Sequence, residues 1–182
     1  MMKGTSVKRK MKKLCICFIF LGLLTFLTAG CAPTKTYRHD VTSGEVMDTV
    51  LASIPDMDGY RPVGEGYVCR SLWGDGYEDL TQKTADYRIM LSQNADMNIN
   101  EVGVFRVRDV ADVDELAETV ETFVEGQRAR YAGLLSAYNP TELPKLEEAE
   151  VEVCGRYIFY SILSEKDTAK AKKAFETAVT KN

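Results

Sequence analysis

Histidine is almost missing from this chain: His39 is the only one in 182 residues. A Ser-His-Asp triad needs an imidazole base, and no Gly-x-Ser-x-Gly turn occurs to present a serine. Metal ligands are equally scarce, since no Cys-x-x-Cys accompanies the lone histidine. Phosphate cradles are lacking as well. Gly64-Glu65-Gly66 and Gly74-Asp75-Gly76 miss the further glycines of a nucleotide-binding loop, and their acids repel phosphate. The sequence therefore nominates no catalytic residue, no cofactor and no metal ligand. One last absence is local: no acid precedes Asp40.

What stands at that acid-free start is ordered. Lys3, Lys8, Arg9, Lys10, Lys12 and Lys13 supply positive charge, and Leu14 to Leu27 (LCICFIFLGLLTFL) carries none. A basic segment, a short apolar stretch and then small residues describe a secretory signal peptide over residues 1–30. The alternative is an anchor that stays in the bilayer, which needs ~20 predominantly apolar residues. Leu14 to Cys31 approaches that length only by counting glycine and threonine at its end. Either way the basic cluster holds the cytoplasmic side and the remainder lies outside.

Leu27-Thr28-Ala29-Gly30-Cys31 resembles the lipobox of bacterial lipoproteins, in which small residues admit a peptidase before a lipidated cysteine. Thr28 departs from the aliphatic residue usual there. The resemblance implies that the Cys31 thiol receives a diacylglyceryl group. Each buried CH₂ then contributes about 0.8 kcal/mol, and two long chains suffice for stable anchoring.

Cleavage would leave 152 residues, one domain's worth, with 17 basic against 27 acidic residues and a net charge of −10. Such a domain is repelled by nucleic acid and by anionic headgroups, so a nucleic-acid partner is not expected. Cys69 and Cys154 remain, either as two buried thiols or as a disulfide if their Cα atoms come within ~7 Å. Residues 31–42 read as an acylated tether, in which His39 has nothing to orient it. Residues 43–182 read as a single extracytoplasmic domain.

Within that domain Ser43 fits an N-cap, and Val46, Met47, Val50, Leu51 and Ile54 predict a helix over 44–53. The glycine- and aromatic-rich stretch 56–79 contains a possible short strand at Tyr67–Leu72. Thr84–Ser92 and Val102–Val107 alternate as strands, with a turn between them. Residues 113–138 form the longest helical pattern, with Asp112, Asp114 and Glu115 complementing its dipole. Gly126 and Gly133 weaken that helix and mark close packing or a break. Residues 149–163 read as a hairpin turning at Cys154-Gly155, and Tyr157–Leu163, apolar on both faces, as an interior strand. A last helix follows Ser164. The fold expected is α+β: an antiparallel sheet of about four strands with helices packed on one face.

Three groups could carry chemistry beyond packing. Asp56-Met57-Asp58-Gly59 begins like a calcium loop but meets Tyr60 and Arg61 where further ligands and glycine belong. Asn94, Asp96, Asn98 and Asn100 alternate suggestively, yet position twelve from Asp96 is Val107 and not a glutamate. Glu148, Glu150 and Glu152 share one face of a strand, which more often marks a solvated face than a facing acid pair. Tyr60, Tyr67, Trp73 and Tyr77 are open to two readings, a recognition surface or core packing, with core the better supported.

These features together, the lipobox at Cys31, VGVFRV leading into an acidic-started helix, and YNPTELPKLEEAEVEVCGRYIFYSIL before a terminal helix, resemble small bacterial lipoproteins of the domain-of-unknown-function 4358 family. The resemblance spans Ser43 to Val179. It implies a membrane-anchored extracytoplasmic protein, supplies no activity, and carries over only Cys31 as the lipidated residue. The expected function is a lipid-anchored, non-enzymatic module on the extracytoplasmic face of the cell membrane, binding an envelope protein or a small ligand. The competing expectation is a carboxylate-dependent envelope enzyme such as a glycan hydrolase.

Overall fold

Alternation of apolar side chains sets the sheet. In the computed structural model, which describes residues 35–55, 59–92 and 98–181, five antiparallel strands run in the order β1-β2-β3-β5-β4. They are β1 (Tyr60–Pro62), β2 (Thr84–Ser92), β3 (Glu101–Val107), β4 (Glu150–Cys154) and β5 (Tyr157–Ile162). Cys31 and the whole leader lie outside the described residues, as do the side chains of Cys69 and Tyr77.

The antiparallel α+β class is as expected, but there are five strands and helices cover both faces of the sheet. The reason is visible in β3 and β5. Val102, Val104, Tyr157 and Phe159 enter one core, while Phe105, Ile158, Tyr160 and Ile162 enter the other. A central strand that is apolar on both sides must be covered twice. The first face packs on α1 (Ser43–Ser53) and α5 (Glu165–Val179), which bring Val46, Met47, Val50, Ala171 and Phe175 to it. The second is covered by α3 (Val113–Tyr138), the short α4 (Leu143–Glu147) and a helical stretch over residues 65–76 that leads into α2 (Tyr77–Lys83).

That helical stretch replaces the strand expected at Tyr67–Leu72. Glu65–Tyr67 forms one α-helical turn and Val68–Trp73 a π-helical one. A period of two would place Arg70 on the same side as Val68 and Leu72. Arg70 is exposed and the other two are buried, so the wider helical period wins. Trp73 is buried against Tyr87 and Phe105, and Tyr60 is buried in the opposite core, which gives both residues core roles.

The N-cap of α1 is Thr42 and not Ser43. Thr42 Oγ1 accepts from the Glu45 N–H, the Glu45 carboxylate accepts from the Thr42 N–H, and Ser43 turns to Asp86. Nor do residues 36–42 behave as tether. The Lys181 N–H donates to the Thr36 carbonyl at 2.8 Å, the Arg38 N–H to Val179 at 2.7 Å, and the Tyr157 hydroxyl to Val41 at 2.8 Å. Tyr37 bridges Thr180 and packs on the β4–β5 turn at Gly155. The compact unit accordingly starts at Thr36.

Candidate functional site

A glutamate at the first position of an apolar strand sits in phase with its neighbours two and four residues on. Glu101 therefore points to the same side of β3 as Phe105, and it is 2% exposed. Burial of a carboxylate demands donors. The Tyr160 hydroxyl, from β5, donates to Oε1. The Tyr67 hydroxyl, from the helical stretch, lies 3.1 and 3.0 Å from the two oxygens. Gln127 Nε2, from α3, reaches Tyr67 at 3.4 Å and Glu101 Oε2 at 3.5 Å.

Close approach makes this cluster possible. Gly103 faces Tyr160 across the β3–β5 pair, and any methyl there would collide with the ring. Tyr160 is then held against Phe105 and Phe123, and Tyr67 meets Phe123 edge-on. Desolvation pushes the Glu101 carboxyl up to about 7, against the three hydrogen bonds that favour its charge. The Tyr160 and Tyr67 hydroxyls are pushed up as well, by burial first and then by the adjacent carboxylate.

The cluster floors a cleft of about 290 Å³. Leu91 and Ser92 at the end of β2, Asn98 and Ile99 before β3, and Ile162 at the end of β5 form one side. Tyr131, Leu134 and Leu135 of α3 with Leu146 of α4 form the other. At the neighbouring chain turn Glu142 accepts from the Ile99 N–H, and Lys145 Nζ bridges Glu142 and Asn100. Glu101 is the only acid among the cleft-lining residues described, so no second acid faces it among those residues.

The residues nominated by sequence are dispersed. Among the described side chains of the aromatic group, Tyr67 reaches the cleft. Glu150 and Glu152 pair with Lys172 on the surface of α5. Cys154 is buried with Tyr157 and Phe175 in the first core, whereas Val68, next to Cys69, belongs to the second. Of the calcium candidates, Asp56, Asp58, Asn94 and Asp96 lie outside the described residues, while Asn98 Oδ1 caps the Asn100 N–H, a turn-forming role. Gln127, missed by sequence reasoning, sits four residues after Phe123 and four before Tyr131. It is a polar residue in the buried stripe of α3, and that in-phase polarity was its signal.

Residues 78–163 match the family model of the Domain of unknown function DUF4358. The DUF4358 match spans β2 to β5 and holds Glu101, Gln127 and Tyr160; Tyr67, α1 and α5 lie beyond it. No curated protein and no solved structure matches the chain.

Proposed function

We propose that the protein is a lipid-anchored binding module that takes a small, largely apolar ligand in the Glu101 cleft, outside the cell. The observation that carries this reading is the cleft itself: leucine and isoleucine walls over one hydrogen-bonded carboxylate. Small-molecule sites share that composition of apolar lining and a few convergent polar groups. A volume of about 290 Å³ is at the small end of such sites and suits roughly ten heavy atoms at ~30 Å³ each. Binding is favoured over hydrolysis because Glu101 is the one acid among the described cleft-lining residues, and Glu142, at the neighbouring turn, is held by Lys145 and the Ile99 amide.

The lipid anchor rests on the leader and on the small residues before Cys31. Native mass spectrometry of protein purified from membranes tests both parts. The expected species begins at Cys31, carries acyl mass, and releases a small molecule on activation. Leu135→Trp, which fills the cleft, loses that molecule. A chain still beginning at Met1 removes the anchor, and a release unchanged by Leu135→Trp removes the cleft.

A further inference from the structure

A carboxylate buried without a cation is costly, and Glu101 has none. Its partners Tyr67, Tyr160 and Gln127 are all neutral donors, and among the described residues no ion pair reaches it. Lys145, on α4 beside the cleft-lining Leu146 in sequence, is engaged by Glu142 and Asn100. Three donors converging on one carboxyl stabilise charge on its oxygens, while burial opposes that charge, so a cation brought to the site would tip the balance to the ionised form. The result is a hydrogen-bonded carboxyl at the bottom of an apolar cleft, 2% exposed and, among the described residues, without a counter-charge.

A ligand can supply what the fold withholds. An ammonium group placed on Glu101 makes a charge-assisted hydrogen bond in a desolvated site, and Tyr67 and Tyr131 offer aromatic rings at the same cleft. An anionic head would meet like charge, and a neutral head would leave the carboxylate uncompensated. From the placement of Glu101, we infer that the cleft selects monocationic amines with a short apolar body, the ammonium on Glu101 and the body between Leu91, Ile99 and Leu135. This rests on the reading of the cleft as a binding site and names its ligand class.

The test is calorimetry on the full-length protein in lipid nanodiscs, with empty nanodiscs as the blank. Three probes of matched shape are titrated: 2-phenylethylamine, 2-phenylethanol and phenylacetate. The amine is expected to bind at least about tenfold more tightly than the alcohol, as hydrogen bonds to charged groups require, and phenylacetate least. In Glu101→Gln the amine and alcohol should converge to within about twofold, while alcohol binding shows that the cleft still forms. Equal affinities in the wild-type protein, or preference for the alcohol or the acid, would overturn the cationic class and leave the cleft standing. Binding of none of the three would remove the cleft as a ligand site and this inference with it. The wild-type series decides the matter even if the variant fails to fold.

Discussion

At the scale of single residues, Glu101 is where folding and chemistry pull apart. Its carboxyl titrates near 4.5 in an unfolded chain and near 7 in the fold, because desolvation outweighs the bonds from Tyr160, Tyr67 and Gln127. Between those values the native state holds the proton more tightly. Stability from this group is thus complete below pH ~4.5, declines as pH rises through ~7, and then levels. The span is on the order of 3 kcal/mol for a group this buried. Asp40, Glu45 and Asp167 are lowered by hydrogen bonds, so they act in the opposite sense and at lower pH, where they lose their contribution as they protonate. Glu101→Gln keeps an acceptor for both tyrosines and removes the titration. Urea unfolding between pH 5 and 8 should show the wild type losing stability relative to Glu101→Gln as pH rises; parallel curves would mean that the carboxyl is not desolvated as described.

At the scale of elements, α3 shows what could be read in advance and what could not. Its bounds follow from Val113, Leu116, Val120, Phe123 and Leu135 recurring at three and four residues, a pattern with no strand equivalent. The strand β2 was legible for the same reason at period two, and β5 as a short run apolar on both faces. The short pieces were not. Tyr60–Pro62 has too few residues to show a period, and Val68–Trp73 repeats at a π-helical spacing that alternation imitates. The cleft was illegible because its parts lie far apart in sequence and meet only when β3 pairs with β5 beneath α3. Starting β3 at Val102, one residue late, hid Glu101 from the in-phase test that would have marked it. The two glycines of α3 also read differently in place. A methyl added at Gly126 or Gly133 meets nothing within 4 Å, and the helix runs unbroken past both, so neither marks close packing or a break. Each then carries only the entropic cost of glycine in a helix. Gly133→Ala should raise unfolding free energy by about 0.5–1 kcal/mol, read as a higher urea midpoint with unchanged slope. A fall in the midpoint would show that this surface of α3 has a partner that the methyl displaces.

At the scale of the whole molecule, the chain enters the fold at one pole and the cleft opens at the other. Thr36 to Arg38 dock on Val179–Lys181, beside the Gly155 turn, where β5 begins and β3 ends. Glu101 and Ile162, the opposite ends of those same strands, line the cleft. The strand β3 separates the poles by roughly 20 Å. With acyl chains on Cys31, as proposed, the four residues 32–35 connect it to Thr36, a reach of at most roughly 18 Å over five steps. On that proposal so short a link would keep the entry pole against the bilayer, while the domain's net negative charge disfavours lying flat on anionic headgroups. On the proposed lipidation of Cys31 the cleft would face away from the membrane, and ligand would arrive from solvent and not by lateral transfer out of lipid. A fluorescent amino acid at Arg156 in the turn, or at Leu134 on the cleft wall, measures this by energy transfer to headgroup-labelled lipid in vesicles. Transfer should be efficient from position 156 and weaker from position 134, with the difference persisting at high salt because the link, and not charge, sets it. Equal transfer from both would lay the domain on its side, bring the cleft to the headgroups, and make the bilayer itself the source of whatever Glu101 binds.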